Sequence, residues 1–564
     1  MTKKLIECVP NISEGRDKKV IEKIVNEVKT VEGVELLDVD PGHATNRTVI
    51  TFVGEPEKVI TAAFLVIKKS SELIDMSKHS GEHPRMGSTD VCPLIPVSGI
   101  SMEEVNQYAV KLSEKVGEKL RIPVFLYENS AKDQKRKNLA NVRLGEYEGL
   151  DKKLKDSKWK PDFGSTDKDV YKKTGATAIG ARDFLIAYNI NLNTTSTRRA
   201  NAIAFDIREK GRIARKNNKL TGEILKDKNG KTIWKPGTLK HVKAIGWFIE
   251  EYGISQISMN LTNINETPIH KVFDEVCEKA QKRGVRVTGS ELVGLIPLKS
   301  MVDAGKYFLI KQQRSIGISE KEIIKIAIKS MGLNEISLFE PNEKIIEYKI
   351  KSIDSKLVNL DLSTFLQETA SESPAPGGGS ISAYVGALGA SLTTMVANLS
   401  SHKRGWDDRW EEFSDLAELG QKFIVKLEKL VDDDTNAFNM ILNAFRIKAD
   451  TEDEKIEKES KIQSATLNAI KIPLSIMENS YNLMNLIAKL VKKGNPNSVS
   501  DVGVAVLCAR AAVLGGYLNV MINIKDLKDV KLKSSIIERA EELKLLSMES
   551  EKKILKDVIK TINN

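Results

Sequence analysis

Strand-type and helix-type spacing of hydrophobic residues alternate through the first part of this chain, and this alternation restricts the fold more than any single motif. In residues 5–97 the spacing predicts strands at residues 5–10, 34–40, 47–53 and 91–97 and helices at residues 18–29 and 56–75. The order β-α-β-β-α-β is that of a ferredoxin-like split βαβ unit. We therefore predict an α+β lobe at the start of the chain.

The same order of elements returns in residues 184–288. Strands are predicted at residues 184–190, 242–250, 254–261 and 285–288, with helices at residues 197–210 and 268–283. Residues 219–236 add a predicted hairpin that turns at Asn229 and Gly230. Two ferredoxin-like split βαβ lobes are expected to face each other across a cleft, where small molecules tend to bind.

Helical spacing alone continues from residue 362 to the end of the chain, after the pattern loosens around Pro341. A chain of 564 residues is too long for a single core. We predict one α+β subdomain in residues 1–180, a second in residues 181–334, a linker in residues 335–356 and an all-α helical domain in residues 357–564.

Charge and cysteine spacing argue against several classes of protein. The net charge is +10, from 87 Lys and Arg against 77 Asp and Glu. The basic residues are scattered among acidic ones without an aromatic-basic motif, which favours a solvated surface over nucleic-acid binding, and a small polyanion suits the charge at least as well as RNA. The four cysteines show no C-x-x-C spacing, so neither a zinc site nor a disulfide framework is predicted.

The sequence shows no apolar run of the roughly 18 residues that cross a bilayer. The first residues, MTKKLIECVPN, also lack the apolar core of a signal peptide. We therefore predict a cytoplasmic protein without a membrane partner.

A cluster of reactive side chains occupies residues 78–97, which read KHSGEHPRMGSTDVCPLIPV. His79, Glu82 and His83 fall within five residues, and Arg85 follows them. An imidazole with a carboxylate and a guanidinium nearby is suited to a general base beside an anionic substrate. We predict a rigid polar loop with this role.

Two other interpretations of the cluster remain open. His-Ser-Gly-Glu-His matches the H-x-x-E-H zinc pattern, which places two ligands one helical turn apart. That pattern needs an unbroken helix, whereas Gly81 interrupts it and Pro84 pushes His83 out of helical backbone. The other interpretation is a surface loop with incidental histidines, which fits an isolated histidine better than this cluster.

A carboxylate is predicted on the buried face of one C-terminal helix. Apolar residues recur there at intervals of three or four and form one stripe with Asp434, namely Phe423, Leu427, Leu430, Phe438, Ile441 and Phe445. Asp432 and Asp433 are turned away from the stripe by steps of about 100° and suit a solvated surface. Because burial raises the pKa of a carboxylate toward values useful in acid-base catalysis, Asp434 is a catalytic candidate.

A glycine run precedes another of these helices. Gly377, Gly378 and Gly379 lie in the stretch SPAPGGGS, ahead of a helix with many small residues. Glycines there leave the backbone N–H groups of the helix N-terminus accessible, which favours binding of an anion such as a glutamyl carboxylate. A P-loop is excluded because no Gly-Lys-Ser follows, and a plain hinge remains the alternative.

Several motifs, in this order, resemble those of one enzyme family. LIECVPNISEG, LLDVD, TNRTV, TFVG, GEHPRMG and STDVCPLIPV are similar to the formiminotransferase half of the formimidoyltransferase-cyclodeaminase family, and SPAPGGGS is similar to its cyclodeaminase half. The resemblance covers nearly the whole chain. It implies a bifunctional folate enzyme of histidine degradation. Such an enzyme transfers the formimidoyl group of N-formimidoyl-L-glutamate to N5 of tetrahydrofolate and then cyclises 5-formimidoyltetrahydrofolate to 5,10-methenyltetrahydrofolate, with release of ammonia.

The resemblance also implies cofactors, partners and site residues. It implies a homo-oligomer that uses tetrahydrofolate, in polyglutamylated form, as co-substrate and needs no metal. It implies that His83 is the catalytic histidine of the transferase and Asp434 the catalytic aspartate of the cyclodeaminase. It implies folate contacts along one loop, formed by Gly164, Ser165, Thr166, Asp167, Lys168, Asp169, Val170, Tyr171, Lys172, Lys173, Thr174 and Gly175.

Five further residues are candidates by their own chemistry. Asp40 and Glu82 are predicted to orient or assist the catalytic histidine, and Asn11 is a candidate because it ends the first strand as Asp40 ends another. Arg47 and Arg85 are predicted to bind the carboxylates of the glutamyl substrate, because guanidinium pairs with carboxylate in a bidentate fork. Turn caps or rim ion pairs are the alternative for each of them.

Rival functions also remain open. The helical domain resembles methenyltetrahydrofolate cyclohydrolase as well, for which the reaction is addition of water to the cyclic product. A zinc hydrolase would use His79 and His83. A non-catalytic RNA-binding role rests on the charge alone and predicts an affinity that falls steeply with salt.

Overall fold

The computed structural model of the chain describes residues 4–43, 45–81, 84–218, 221–350, 357–373 and 375–564. The chain divides into two compact units, Met1–Met301 with Met331–Lys351 and Val302–Ser330 with Ser352–Asn564. The first unit mixes strands and helices, and the second is helical. Residues 302–330, which the sequence analysis places in the second α+β subdomain, group with the helical unit.

The first lobe of the α/β unit contains one mixed sheet and its covering helices. Its strands are β1 (Leu5–Cys8), β2 (Asn11–Ile12), β3 (Val34–Gly42), β4 (Arg47–Gly54), β5 (Thr89–Ser98), β6 (Val124–Leu126) and β7 (Thr177–Ala181). Its helices are α1 (Lys18–Lys29), α2 (Pro56–Leu73), α3 (Met102–Leu120), α4 (Leu139–Arg143), α5 (Leu150–Lys155) and α6 (Lys168–Thr174). The predicted strands and helices of this lobe are confirmed, with small shifts at their ends.

The strands follow the order β3, β4, β1 with β2, β5, β7 and β6 across the sheet. The pairs among β1 to β5 are antiparallel, whereas β7 runs parallel to both β5 and β6. Side chains alternate between the two faces of a strand, so Ile6 and Cys8 enter the core formed with α1, α2 and α3 while Glu7 points to the other face. That other face carries the candidate site.

Helix α1 illustrates how local sequence sets these elements. Asp17 caps its N-terminus and accepts hydrogen bonds from the backbone N–H groups of Lys19 and Val20. The residues that it buries recur at helical spacing, namely Ile21, Ile24, Val25 and Val28. The cap and the apolar stripe together reproduce the bounds predicted from sequence.

Strand β7 lies in a stretch for which no strand is predicted from the sequence. Residues 168–174 form the short helix α6, and residues 177–181 form a buried strand between β5 and β6. The strand reads TAIGA, which is buried at every position and therefore shows no polar alternation. The sequence pattern therefore missed this strand.

The second lobe of this unit repeats the plan with a longer insertion. Its elements are β8 (Ile186–Leu192), α7 (Thr197–Ile207), β9 (Arg212–Ile213), β10 (Trp234–Lys235), β11 (Val242–Ile249), β12 (Ile254–Leu261), α8 (Ile269–Gln281) and β13 (Val287–Val293). The main sheet has the order β11-β12-β8-β13, and all its neighbours are antiparallel. The predicted turn at Asn229 and Gly230 is confirmed, since the backbone N–H of Asp227 donates to the carbonyl of Lys231 at 2.8 Å around it. Lys219 and Leu220, at the start of that segment, lie outside the described residues.

Four helices follow the second lobe, namely α9 (Leu298–Lys311), α10 (Glu320–Met331), α11 (Pro341–Lys344) and α12 (Ile346–Ile350). Residues 335–356 were predicted to be a linker, but α11 and α12 form within them. Ile346 packs with Leu37 and Val53 of the first lobe in a small apolar cluster. Residues 351–356 lie outside the described part of the chain.

Long helices make up the rest of the helical unit, as predicted. They are α13 (Leu362–Thr369), α14 (Gly378–Ser401), α15 (Trp410–Arg446), α16 (Glu452–Lys493), α17 (Val499–Asn523) and α18 (Val530–Asn563). Small residues of α14 let its neighbours approach closely, and they include Ser382, Ala383, Gly386, Ala387 and Ala390. The core of the unit forms mainly around α14, with contributions from α15, α16 and α17.

Two stretches of the helical unit are long and apolar enough, by length and composition alone, to cross a membrane. They are Gly378–Ser401 and Pro496–Asp526, and 61% and 39% of their most apolar windows are buried inside the structure. The prediction from sequence that no apolar run is long enough to cross a bilayer is therefore wrong for these two stretches. A core helix packed against other helices passes the same test, so the finding is weak support for a span.

Candidate active sites in the two units

A cavity of about 1300 Å³ lies in the α/β unit and is lined by residues of both lobes. The first lobe contributes residues of β1 to β5 and of the segment around α4. The second lobe contributes His241, Lys243, Asn260 and Glu291. The cavity is large enough for two small-molecule substrates together.

Asn11 and Asp40, both predicted site residues, are brought together on the cavity floor. Each is the pairing partner of Val49, with Asn11 on β2 and Asp40 on β3. Asn11 also pairs with Val91 of β5, so a row of four residues crosses the sheet and lines the cavity. The Nδ2 of Asn11 donates to the carbonyl of Val9 at 2.9 Å, which fixes the orientation of the amide.

Arg47, the next predicted residue, lines the same cavity at the start of β4. Burial lowers its pKa, and the positive charge of Arg143 lowers it further, while Asp90 and Asp40 act in the opposite direction. Arg143 also lines the cavity and forms an ion pair with Asp90. The sequence analysis did not identify Arg143, because nothing in the local sequence at the end of α4 marks it as a cavity residue.

Arg85 lines a smaller cavity of about 420 Å³ and is not among the residues that line the larger one, although Gly145 and Glu146 line both. Its guanidinium donates to Glu146 at 3.0 Å and to Glu148 at 2.6 Å, and the residue is only 7% exposed. The hydrogen bond to Glu148 is the main reason why the pKa of Arg85 is raised. Two carboxylates of the chain therefore already hold this guanidinium, and binding of a substrate carboxylate there stays a prediction that requires these ion pairs to break.

Both ring nitrogens of His79 are occupied. Its Nε2 lies 3.0 Å from the carbonyl oxygen of Asn46 and donates to it, while its Nδ1 accepts from the Nε of Arg85 at 3.2 Å. Burial lowers the pKa of His79, which favours this neutral form. A zinc ion needs a free nitrogen lone pair, so the structure does not present His79 as a metal ligand.

Glu82 and His83 lie outside the described residues. The neighbouring Pro84 lines the large cavity. The catalytic role of His83 and the assisting role of Glu82 stay predictions.

The twelve residues predicted to contact folate fold mainly as α6, and none of them lines either cavity. Asp167 caps the helix and accepts from the backbone N–H of Asp169 at 3.1 Å, and the hydroxyl of Tyr171 donates to Asp151 at 2.7 Å. Gly175 has a positive φ of 68°, and an added Cβ there would overlap the carbonyl of Met86. These contacts explain the residues by local packing, and their contact with folate stays a prediction.

Glu7 is an ionisable residue of the cavity that the sequence analysis did not identify. It lines the cavity from the middle of β1 and is 2% exposed. Burial raises the pKa of Glu7 to about 7, with Glu347 adding to the increase and Arg182 opposing it. The available signal was a single glutamate inside the apolar strand sequence LIEC.

In the helical unit, Asp434 and the glycine run meet at the N-terminus of α14. The Oγ of Ser380 lies 3.2 Å from Asp434 Oδ2 and 2.8 Å from the carbonyl of Val431. Burial raises the pKa of Asp434, and hydrogen bonds from the side chain and backbone N–H of Ser380 oppose that increase. An added Cβ at Gly379 would overlap the carboxylate of Asp434. The anion at this helix N-terminus is thus Asp434 itself, and a substrate anion at Gly377, Gly378 and Gly379 stays a prediction.

The predicted apolar stripe around Asp434 is only partly buried. Leu427 and Leu430 are buried, but Phe438 and Phe445 are 36% and 55% exposed. Ala437 and Ala444 are buried instead, so the buried face shifts by one residue beyond Asp434. Asp434 itself is half-buried, as are Asp432 and Asp433, so burial alone does not distinguish it from its acidic neighbours.

Its two acidic neighbours make separate contacts. Asp432 accepts from the backbone N–H of Leu357 at 3.0 Å, and Asp433 forms an ion pair with Lys429 at 2.5 Å. Within the described ranges, no three His, Cys, Asp or Glu side chains converge where a metal ion would bind.

Comparison with known proteins covers both units. Residues 5–182 match the family model of the formiminotransferase domain, N-terminal subdomain; residues 187–351 match that of the formiminotransferase domain, and residues 361–542 match that of formiminotransferase-cyclodeaminase. The formimidoyltransferase-cyclodeaminase of Gallus gallus is 40% identical over 533 residues, which cover 94% of each chain.

Two other relatives match parts of the chain. The glutamate formimidoyltransferase of Streptococcus pyogenes serotype M1 is 40% identical over 306 residues, which cover 54% of this chain and 93% of that protein. The methenyltetrahydrofolate cyclohydrolase of Methylorubrum extorquens is 35% identical over 171 residues, which cover 30% of this chain and 82% of that protein. Because these matches cover nearly its whole length, the chain belongs to the formimidoyltransferase-cyclodeaminase family.

Proposed function

We propose that this chain is a bifunctional folate enzyme with one activity in each unit. The α/β unit transfers the formimidoyl group from N-formimidoyl-L-glutamate to N5 of tetrahydrofolate, and the helical unit cyclises the product to 5,10-methenyltetrahydrofolate and releases ammonia. The observation that carries the proposal is the 40% identity to formimidoyltransferase-cyclodeaminase over 94% of the chain. The separate match to a glutamate formimidoyltransferase over 54% of the chain supports the first activity.

The transfer step exchanges one amine for another on the formimidoyl carbon. N5 of tetrahydrofolate attacks that carbon, the bond from the carbon to the glutamate nitrogen breaks, and the proton of N5 ends on the departing amine. His83 is the proposed base, since an imidazole near its usual pKa contributes about 10² to 10⁴ in rate to such proton transfers. Pro84, its neighbour in sequence, lines the cavity, which supports the proposal.

The cavity wall supplies groups that suit these substrates. Asn11 and Asp40 lie in one row on its floor and are proposed to hold polar atoms of the reacting pair. Arg47 at the same wall is proposed to bind a carboxylate of the glutamyl substrate, through the charge-assisted hydrogen bonds that guanidinium makes with carboxylate.

The cyclisation step closes a ring and expels ammonia. The formimidoyl group reacts in its protonated, amidinium form. N10 attacks the formimidoyl carbon, the bond from that carbon to the terminal nitrogen breaks, and the N10 proton is carried to the leaving nitrogen, so that ammonia leaves and the methenyl group keeps the positive charge. Asp434 is proposed to carry that proton, because the raised pKa of its half-buried carboxyl brings proton uptake and release closer to neutral pH. Ser380 fixes the orientation of that carboxylate.

A second candidate for the helical unit is hydrolysis of the methenyl product. The 35% identity to a methenyltetrahydrofolate cyclohydrolase over 171 residues favours it. Both reactions act on the same carbon between N5 and N10, and they differ in whether ammonia leaves or water adds. Parallel assays of ammonia release from 5-formimidoyltetrahydrofolate and of methenyl hydrolysis separate them.

Finer features of the fold and setting are also proposals. Each α/β lobe is inferred to be a ferredoxin-like split βαβ unit, and the element order β8-α7-β11-β12-α8-β13 supports this for the second lobe. Polyglutamylated folate is the proposed co-substrate, and the lysines of the cavity wall suit its extra carboxylates, namely Lys137, Lys243 and Lys344. A cytoplasmic homo-oligomer without a resident metal, nucleic-acid partner or membrane partner is proposed from the resemblance.

The test of the proposed function is a coupled assay on the purified full chain. N-formimidoyl-L-glutamate and tetrahydrofolate are supplied together, and glutamate, ammonia and 5,10-methenyltetrahydrofolate are measured. We expect one glutamate and one ammonia for each methenyl group formed. Absence of glutamate release would contradict the first activity, and glutamate release without ammonia would contradict the second.

A further inference from the structure

Arg143 occupies an unusual place in the large cavity. It ends α4, its side chain is 16% exposed, and it lines the cavity. Its Nη2 donates to Asp90, whose other carboxylate oxygen accepts from the backbone N–H of Met86 at 3.0 Å. Asp90 therefore divides its charge between two donors and neutralises Arg143 only in part.

The Nε of Arg143 is buried and has no hydrogen-bond acceptor among the described residues. A buried donor of this kind is costly to leave unpaired. The charge of Arg143 also acts on Arg47, since it lowers the pKa of that second arginine of the cavity wall. Two guanidiniums that repel each other beside an open space are stabilised when an anion enters between them.

We propose that Arg143, next to Arg47, binds a carboxylate of N-formimidoyl-L-glutamate, in the role that sequence reasoning assigned to Arg85. The inference rests on the proposed transferase function of the α/β unit. Arg85 is unsuited to the role because Glu146 and Glu148 already accept its hydrogen bonds. Arg143 combines a cavity position with an unused donor.

Glutamate, the product of the transfer, keeps both carboxylates of the substrate. The same arginine therefore binds the product, and loss of Arg143 weakens substrate and product in parallel. We assign tetrahydrofolate, which reacts through N5, to other parts of the wall, so its binding should be independent of Arg143. This contrast separates a substrate-binding role from a purely structural one.

Arg136 provides a matched control seven residues earlier. Its side chain is 8% exposed and donates to Asp162 at 2.6 Å, and its Nε is also buried without an acceptor among the described residues. It stacks on Trp159 and lines neither cavity. Arg136→Gln thus removes a comparable ion pair from the same lobe without touching the cavity wall.

Initial rates of glutamate release by the full chain test the proposal, with Arg143→Gln, Arg143→Lys and Arg136→Gln compared with wild type. We expect Arg143→Gln to raise both the KM for N-formimidoyl-L-glutamate and the inhibition constant of L-glutamate by about tenfold or more, because a charge-assisted hydrogen bond is lost. The KM for tetrahydrofolate stays unchanged. Arg143→Lys, which keeps the charge but loses the fork, gives an intermediate value. Arg136→Gln behaves as wild type.

The proposal is overturned if Arg143→Gln leaves the KM for N-formimidoyl-L-glutamate unchanged, or raises the KM for tetrahydrofolate in parallel, or matches Arg136→Gln. Should Arg143→Gln not fold, as judged by circular dichroism, Arg143→Lys and the inhibition constant of L-glutamate decide in the same way. Wild-type protein that releases no glutamate would instead overturn the proposed function. The two failures are therefore distinguishable.

Discussion

The carboxylate of Asp434 lies against Gly379, so closely that an added Cβ at position 379 would overlap it. The two residues come from α15 and α14, and the backbone N–H and hydroxyl of Ser380 hold the carboxylate in place. Gly379 therefore has a physical reason that is independent of any ligand. It makes room for an acid at a helix N-terminus.

Gly379→Ala should abolish most of the cyclodeaminase activity. The new methyl group must displace Asp434 or the start of α14. We expect the free energy of unfolding to fall by about 1–3 kcal/mol and the rate of ammonia release to fall by about 10²-fold. Glutamate release in the same sample reports the other unit and should persist. Gly503→Ala is a suitable control, because its Cβ would meet only Val558 Cγ1, at 3.2 Å. Equal ammonia release by the two variants would contradict the account.

Ser380→Ala should move the pH dependence of ammonia release. Burial raises the pKa of Asp434, and the hydrogen bonds from Ser380 oppose that increase. Removal of the hydroxyl therefore raises the pKa further, and the limb on which the rate increases with ionisation of Asp434 moves to higher pH. Ser382→Ala, whose hydroxyl donates to Gly378 at 2.6 Å, is the control. A limb that does not move in Ser380→Ala would show that this hydrogen bond does not set the titration.

Glu7→Gln should stabilise the protein above neutral pH. Burial raises the pKa of Glu7 to about 7 from 4.5, so the folded state holds a proton that the unfolded state releases between these values. The contribution of Glu7 to the free energy of unfolding of the wild type is therefore most favourable below pH 4.5 and is lost as pH rises through 7. The difference amounts to roughly 3 kcal/mol.

The measurement is the free energy of urea unfolding of wild type and Glu7→Gln at pH 5 and pH 8.5. We expect the variant to gain stability relative to wild type as pH increases. A constant difference between the two proteins would mean that Glu7 does not titrate abnormally.

Removal of metal ions should leave glutamate release unchanged. His79 uses both ring nitrogens in hydrogen bonds to Asn46 and Arg85 and so offers no lone pair to zinc. Activity before and after treatment with a chelator, together with metal analysis of the purified protein, checks this. If the protein contained stoichiometric zinc and lost activity when the zinc was removed, the result would contradict this prediction and support the zinc hydrolase interpretation.

Elements with their own sequence signals were predictable. The bounds of α1 follow from its cap and its apolar spacing, and those of β11 follow closely from alternation, because each buries one face in a regular pattern. Strand β7 was not predictable, because a short strand buried on both faces has no alternation to detect.

Candidate site residues likewise differ in whether a local sequence signal marks them. Asp434 could be proposed from sequence because its place on an apolar stripe is a local property of α15. The partners of Arg85 and Arg143 were not found, since Glu146 and Asp90 are brought to them only by the tertiary fold. Single-residue chemistry proposed arginines as carboxylate binders but could not decide that Arg47 lines the large cavity and Arg85 does not.

The most direct test of two separate sites compares His83→Ala and Asp434→Ala on two substrates. One assay supplies N-formimidoyl-L-glutamate with tetrahydrofolate, and the other supplies 5-formimidoyltetrahydrofolate directly. We predict that His83→Ala releases no glutamate in the first assay but forms ammonia normally in the second. Asp434→Ala should release glutamate in the first assay and form no ammonia in either assay. Loss of both activities in either folded variant, or retention of glutamate release by His83→Ala, would contradict the account.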